Sequence, residues 1–320
     1  MIKKIAIIGG AGFIGTNLCL ALSKSKDFEV YNLDIKTLET GKINSIMIDI
    51  CDYSSFCNIL FELSPDYIIH LAARTDLNGK SLEDYSANIL GVENLMKIVP
   101  FLPNLKKVLI TSSMLVCHPG YYPKNQFDYA PSTLYGKSKV ETEKIVWKHK
   151  PQCDWAILRP TSIWGPWFGV PYRNFFDMVM AHRYFHIGSK GCTKTYGYVG
   201  NAVYQIEQIL FSDTRDVNQK IFYIGDNPPT NIEEWANEIA CELNYKIKRM
   251  PLCLLKMAAW GGDLLKIIGI SFPMTSFRLK NMTTDNIIDL SATYKIAPNP
   301  PFTRIEGIKE TLQWLKRKTN

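Results

Sequence analysis

Six short apolar runs, at 3–8, 28–33, 45–49, 66–71, 106–111 and 154–158, alternate with longer segments of mixed polarity at 13–25, 52–62, 82–98 and 135–149. The short runs are almost continuously apolar, as strands buried on both faces are. The longer segments suit helices. Strands alternating with helices imply a parallel, doubly wound sheet with right-handed crossovers. In such sheets a ligand lies beyond the C-terminal strand ends, at the point where strand order reverses.

From Arg159 the alternation loosens. Pro160, Gly165, Pro166, Gly169 and Pro171 mark a long irregular connection. Helices are predicted at 173–184, 199–212, 231–243 and 305–317, with a strand at 220–225. Neither an internal repeat nor a low-complexity segment interrupts the chain. The expected organisation is a dinucleotide-binding domain over 1–165, with 199–225 returning to its sheet, and a smaller α/β substrate lobe over 166–198 and 226–320.

Chemistry enters directly after the first strand. Ile5-Ala6-Ile7-Ile8 leads into Gly9-Gly10-Ala11-Gly12-Phe13-Ile14-Gly15. Gly9 permits the tight turn, Gly12 lets a pyrophosphate approach the backbone at a helix N-terminus, and Gly15 lets helix and strand pack closely. The second strand ends in Asp34, nineteen residues after Gly15. A carboxylate there accepts hydrogen bonds from an adenosine ribose and repels a 2′-phosphate, so NAD is expected over NADP. Lys36 is the nearby cation that could tolerate the extra phosphate. The sheet is therefore expected to be of Rossmann type. Tyr135 and Lys139 are spaced i,i+4 in Tyr135-Gly136-Lys137-Ser138-Lys139, which puts both on one helix face. The Lys charge is expected to favour phenolate and lower the Tyr135 pKa, a device for proton transfer.

At 320 residues, 46% hydrophobic and 21% charged, the chain has ordinary globular composition. Its net charge of +7 suits anionic ligands. The basic residues are scattered, and Lys316-Arg317-Lys318 suits a solvated helix end, so no nucleic-acid partner is expected. The eight cysteines (19, 51, 57, 117, 153, 192, 241, 253) have no metal-ligand spacing. No metal is expected, and the thiols suit the reduced core of a cytoplasmic protein. The apolar run after the N-terminal lysines is too short for a signal peptide. Leu252–Phe272 is apolar but interrupted by Lys256, Asp263 and Lys266. An amphipathic helix covering the cleft or core is expected there, with peripheral membrane contact as the alternative and no spanning segment.

Together these residues resemble the extended short-chain dehydrogenase/reductases, in particular the NAD-dependent nucleotide-sugar epimerase/dehydratase group. The matching strings are Gly-Gly-Ala-Gly-Phe-Ile-Gly (9–15), Leu-Asp (33–34), Asp-Ile (49–50), His-Leu-Ala-Ala (70–73), Asn88 with Gly91, Thr-Ser-Ser (111–113), Tyr-x-x-x-Lys (135–139) and Leu-Arg-Pro…Trp-Gly-Pro (158–166). Tyr-Val-Gly-Asn (198–201) and Glu306 to Trp314 match more weakly. The resemblance spans nearly the whole chain. It implies that Tyr135 is the acid/base, that Lys139 tunes it and holds the nicotinamide ribose, and that Ser113 orients the reacting hydroxyl. It further implies cofactor contacts from Gly9, Gly12, Phe13, Ile14, Asp34, Asp49, Ile50, Leu71, Ala72, Ala73, Asn88, Thr111 and Pro160. Substrate contacts would come from Thr75, Ser113, Ser162, Lys194 and Arg278. His70 is expected to be structural, and the aromatics after Trp164 to form lobe core.

The departures narrow the chemistry. The dehydratases of this group carry an Asp-Glu pair where Met114 and Leu115 stand, so water elimination is not expected. The resemblance implies a nucleotide-sugar epimerase acting at C4 through a transient 4-keto sugar, of the kind that serves polysaccharide biosynthesis. The alternatives are a 4-ketoreductase or hydroxysteroid-type dehydrogenase consuming free NAD(P)(H), and a non-catalytic dinucleotide-binding regulator. The expected partners are a nucleotide-diphosphate sugar and a second copy of the chain, paired through the helices at 82–98 and 135–149.

Overall fold

The computed structural model describes residues 2–38, 43–170, 172–188, 191–267 and 276–319. The chain runs β1 (Lys3–Ile8), α1 (Phe13–Leu22), β2 (Phe28–Asp34), β3 (Asn44–Met47), α2 (Tyr53–Leu63), β4 (Tyr67–His70), α3 (Ser86–Ile98), β5 (Lys107–Thr111), α4 (Leu134–His149) and β6 (Asp154–Pro160). Next come β7 (Ser162–Trp164), α5 (Tyr172–Met180), β8 (His186–Ile187), β9 (Thr193–Lys194), β10 (Tyr196–Tyr198), α6 (Val199–Phe211), α7 (Thr214–Val217) and β11 (Lys220–Ile224). The remainder is β12 (Thr230–Asn231), α8 (Ile232–Glu242), β13 (Arg249–Met250), α9 (Leu252–Ile267), α10 (Ser276–Thr283), α11 (Ser291–Ile296) and α12 (Arg304–Thr319).

Seven strands form one sheet in the order β11-β6-β5-β4-β1-β2-β3. Every neighbouring pair in it is parallel. Strand order reverses between β1 and β4, so the chain's ligand crevice falls at their C-terminal ends. Ile5, Ala6, Ile7 and Ile8 are all fully buried, because both sheet faces are covered. Ile5 and Ile7 join the layer containing Leu18 and Cys19 of α1 and Ile206 of α6. Ala6 and Ile8 join the layer containing Phe56 of α2, Leu95 of α3 and Val146 of α4. The continuous apolar runs are explained by this two-sided burial.

The smaller lobe has an aromatic centre. Trp164, Phe168, Phe176 and Tyr198 pack with Trp235 of α8, and Phe175 stacks on Trp235 at a centroid distance of 4.5 Å. Its strands, β7 to β10, β12 and β13, are two or three residues long. Elements that short carry no periodicity, and the sequence does not mark them. The chain comes back to the main sheet through β11, which pairs with β6 from Lys220 opposite Ala156 to Ile224 opposite Pro160.

The apolar segment expected at 252–272 is helical to Ile267; residues 268–272 lie outside the described residues. The helix packs inward on one side, as expected of an amphipathic cover. Leu255 and Ala259 face inward, whereas Leu254, Met257, Trp260 and Leu264 are exposed. No helix among the described residues is long and apolar enough to cross a membrane.

Candidate active site

β1 ends at Ile8 and the chain turns at Gly9 with φ +88°, a conformation side chains disfavour. A Cβ there would lie 2.4 Å from the Ala72 amide nitrogen. At Gly15 a Cβ would lie 2.2 Å from the Gly9 carbonyl oxygen. Loop, helix and the β4 edge are thus in backbone contact. Leu71 and Ala72 both donate to the Ile8 carbonyl, at 2.7 and 2.9 Å. Gly12 is the N-cap of α1 and offers no side-chain cap, so no side chain competes with an anion for the first-turn amides that include Phe13 and Ile14. A loop that excludes Cβ atoms and ends on an uncapped helix is a cradle a pyrophosphate fits.

Asp34 lies over this cradle. One carboxylate oxygen accepts the Ala11 N–H at 3.0 Å and the other accepts the Lys36 N–H at 3.2 Å. Asp49 is exposed and accepts the Cys51 N–H at 2.9 Å. Ile50 is buried against Gly91, where a Cβ would lie 2.3 Å from its side chain. Its carbonyl accepts from the Asn94 amide at 2.9 Å. Asn88 is fully buried and works as a clamp. It accepts the Arg74 N–H at 2.7 Å and donates to the Arg74 carbonyl and to Ser138 Oγ, both at 3.0 Å. It thereby ties Ala72, Ala73 and the loop beyond them to α4.

α4 starts at Thr133, whose Oγ1 accepts the Gly136 N–H at 3.0 Å. That cap sets the first turn, and Tyr135 and Lys139 then point into the sheet edge, both buried. Ser113 caps a short 3-10 turn at Met114–Val116 by accepting the Leu115 N–H at 3.1 Å. The Ser113 hydroxyl lies near enough to Tyr135 to act on its phenol pKa. Lys139 Nζ donates to the Thr111 carbonyl at 2.9 Å.

The expectation that Lys139 lowers the Tyr135 pKa is not met. Burial raises the phenol pKa above its ordinary value, the Ser113 hydroxyl opposes that rise, and the Tyr172 and Tyr85 side chains add to it. Burial also brings the Lys139 ammonium down to about 8, with the Glu143 carboxylate working against that fall. The ammonium is directed at the Thr111 carbonyl, and its charge is not among the causes acting on the phenol. His70 is fully buried next to Lys139, and both its ring nitrogens lack a partner among the described residues. Burial, helped by the Lys139 charge, pushes its pKa down to about 3. A neutral imidazole with nothing to exchange protons with is structural.

The frame behind these groups is not visible in the sequence. Glu143, one turn past Lys139, is fully buried and takes Arg159 bidentately at 2.8 and 2.7 Å. It also accepts from Ser112 at 2.6 Å and from Tyr129 at 2.9 Å. Arg159 donates onward to the Tyr223 hydroxyl and the Gln126 carbonyl, at 2.9 and 2.8 Å. The network fastens α4, the end of β5, β6 and the 113–131 loop together. Its only sequence signal is the Leu-Arg-Pro string that contains Arg159.

On the lobe side, Thr75 is exposed and Ser162 is buried. Parallel pairing of β10 with β7 sets Tyr196 opposite Ser162. Burial raises the pKa of both the Tyr172 and the Tyr196 phenol, and Ser162 opposes the rise in each. The Tyr172 side chain adds to the rise of the Tyr135 pKa, and Tyr172 packs edge-on against Tyr196 with ring centroids 6.5 Å apart. Tyr172 is among the aromatics expected in the lobe core, and no local signal distinguishes it from the others around it. Lys194 lies on β9, with its ammonium pKa lowered by burial while Cys192 and Asp285 oppose that shift. The Arg278 side chain lies outside the described residues. Pro160 ends β6 beside Ile224. Among the described residues no group of His, Cys, Asp and Glu could hold a metal ion.

A glycine cradle at the switch point, an acid at the end of β2, and a buried Ser-Tyr-Lys set above it define a dinucleotide-dependent enzyme of the short-chain type. The chain belongs to the NAD dependent epimerase/dehydratase family, whose model matches residues 5–204. It is 26% identical over 324 residues to an N-acetyl-alpha-D-glucosaminyl-diphospho-ditrans,octacis-undecaprenol 4-epimerase of Escherichia coli O157:H7, covering 98% of this chain and 96% of that protein. It is 24% identical over 333 residues to a UDP-glucose 4-epimerase of Vibrio cholerae, covering 100% and 98%. Its fold matches a UDP-glucuronic acid 4-epimerase of Bacillus cereus with TM-score 0.75 at 18% identity, over 99% and 100% of the two chains.

Proposed function

We propose that this protein inverts the C4 hydroxyl of a sugar carried on a diphosphate, with a nucleoside as carrier and NAD held throughout the cycle. The observation that carries this is the buried Ser113–Tyr135 pair on the rim of a cradle shaped for a pyrophosphate. The two named relatives are 4-epimerases, one of a UDP-sugar and one of a polyprenyl-diphosphate sugar, so the sugar diphosphate is the unit they share.

Gly9, Gly12 and the first turn of α1 would hold the pyrophosphate, Asp34 the adenosine ribose, Asp49 and Ile50 the adenine, and Lys139 the nicotinamide ribose. Leu71, Ala72, Ala73, Asn88, Thr111 and Pro160 would form the surrounding wall. NAD, when bound there, would supply reversible hydride transfer at the sugar C4. Tyr135 would take the proton from the sugar hydroxyl as phenolate and give it back as phenol; burial, which favours the neutral phenol, opposes the first step and suits the second. Ser113 donates its hydroxyl proton to the same sugar oxygen and stabilises charge developing there. Met114 and Leu115 bring no acid or base near the sugar, which supports redox-neutral inversion over water elimination. Ser162, Tyr172 and Tyr196 would line the sugar site, with Thr75 at its mouth and Lys194 as the cation for the diphosphate. The substrate lobe would comprise 166–198 and 226–320.

A cytoplasmic location is supported by eight free cysteines. The reaction would serve polysaccharide assembly, and the chain would act as a homodimer joined through α3 and α4.

The test is a panel of UDP-, GDP-, dTDP- and CDP-sugars, with one undecaprenyl-diphosphate sugar, incubated with the protein as purified and no added cofactor. C4-inverted product detected by NMR is the expected result. Stoichiometric oxidation of added NAD(P)H, with no inversion in its absence, would instead establish a reductase. Tyr135→Phe is expected to lower turnover by about 10²-fold or more while NAD content stays unchanged.

A further inference from the structure

α9 packs into the lobe on one side only. Leu255 and Ala259 meet Leu279 of α10, with Ile187, Met250 and Leu252 around them. The other side presents Leu254 at 50%, Met257 at 64%, Trp260 at 68% and Leu264 at 54% exposure. Steps of three, three and four residues keep these on one stripe. No other helix among the described residues exposes four large apolar side chains. Trp260 is also the only tryptophan among the exposed large hydrophobics of the described residues.

The charge in the segment that carries this stripe is mostly positive. Between 244 and 283 the sequence holds Lys246, Lys248, Arg249, Lys256, Lys266, Arg278 and Lys280 against one acid, Asp263. Lys246, Lys248, Lys256 and Lys280 are exposed, while Arg249 is paired with Glu233. Asp263 is occupied in accepting the Ser276 N–H at 3.2 Å. An apolar stripe with an exposed Trp and Met, in a segment rich in exposed lysines, has the chemistry of a helix that lies in a membrane interface.

We propose that the outward stripe of α9 seats in the headgroup region of an anionic lipid bilayer and makes this protein a peripheral membrane protein. The basic segment is complementary to anionic headgroups and unsuited to pairing with a second copy of itself, since both copies would bring the same positive charge. The anchor is coupled to the site by a short path. Cys192 donates to the Met282 carbonyl at 3.0 Å, and Asn286 bridges to Lys194 and accepts the Gly120 N–H at 3.1 Å. Such anchoring does not depend on the reaction proposed above.

The experiment is flotation of the full chain with vesicles of phosphatidylcholine and phosphatidylglycerol (7:3), compared with phosphatidylcholine alone. The protein should float with the anionic vesicles, release at 0.5 M NaCl, and show a blue-shifted Trp260 emission that brominated lipid quenches. Trp260→Phe should keep flotation and lose the shift. Met257→Glu/Leu264→Glu should abolish flotation with NAD content and thermal unfolding unchanged. Each of Lys246→Glu and Lys256→Glu should weaken binding by roughly fivefold or more. Failure of the wild type to float, or equal flotation of the double Glu variant, overturns the proposal. So does a lipid-free dimer that dissociates in Met257→Glu/Leu264→Glu, which would make the stripe a self-interface.

Discussion

At the scale of single residues, the site is governed by burial more than by pairing. Tyr135 and Lys139 are neighbours on one helix face as their spacing requires, yet each responds chiefly to loss of water: the phenol pKa rises and the ammonium pKa falls. His70 shows the same effect in its purest form. Its folded pKa of about 3 lies well below the ordinary value of 6.5. Below pH 6.5 the unfolded chain binds a proton that the folded chain refuses, so stability falls as pH falls toward 3. Between pH 6.5 and pH 5 this group should cost about 2 kcal/mol. Urea midpoints taken across that range should drop in the wild type and drop less in His70→Leu; parallel curves would show that His70 titrates normally. The tyrosine and lysine were legible because a spacing of four residues fixes a helical face. Ser113's role was legible only by resemblance, since nothing local distinguishes it from Ser112.

At the scale of elements, α4 organises the site. Its Thr133 cap, its close approach to the catalytic loop and its buried Glu143 each fix one side of it. Gly136 is the point of approach: a Cβ there would lie 2.3 Å from the Leu115 carbonyl oxygen. Gly136→Ala should push the Ser113 loop away, costing about 1–3 kcal/mol of stability. It should also cost about 10²-fold in turnover through misplacement of reacting groups. Calorimetry and a rate assay check both, and unchanged turnover would mean that the loop adapts freely. Glu143 and Arg159 have side chains 0% and 2% exposed. Glu143→Ala leaves a buried guanidinium without its carboxylate and should destabilise the fold by about 3–5 kcal/mol in urea unfolding. A loss below about 1 kcal/mol, the size of a surface pair, would refute that burial. This network joins residues 112, 129, 143 and 159, and each of them looks unremarkable in its own stretch of sequence.

At the scale of the whole molecule, α3 and α4 pack side by side beyond the sheet. The expected homodimer would join the two pairs as a four-helix interface. Analytical ultracentrifugation at micromolar concentration should therefore give twice the 36.5 kDa chain mass, and a monomer would exclude this interface. The first half of the fold was readable almost residue by residue, from β1 at Lys3–Ile8 to α4 at Leu134–His149. Those elements announce themselves through local periodicity, continuous apolar runs and glycines placed where a turn needs them. The lobe was not readable in that way. Its two- and three-residue strands exist only because distant segments supply partners, as Ser162 does for Tyr196. The sequence alone determined the doubly wound sheet, the cradle of Gly9, Gly12 and Gly15, the acid at Asp34 and the Tyr135–Lys139 pair, because each depends on contacts within about one or two turns or one βα unit. Tertiary structure alone decided the meeting of Ser162, Tyr172 and Tyr196, the Glu143–Arg159 frame, the burial of Tyr135 and the outward face of α9. Those depend on which remote residues exclude water from a group, and burial is set by the whole packing rather than by neighbours in the chain.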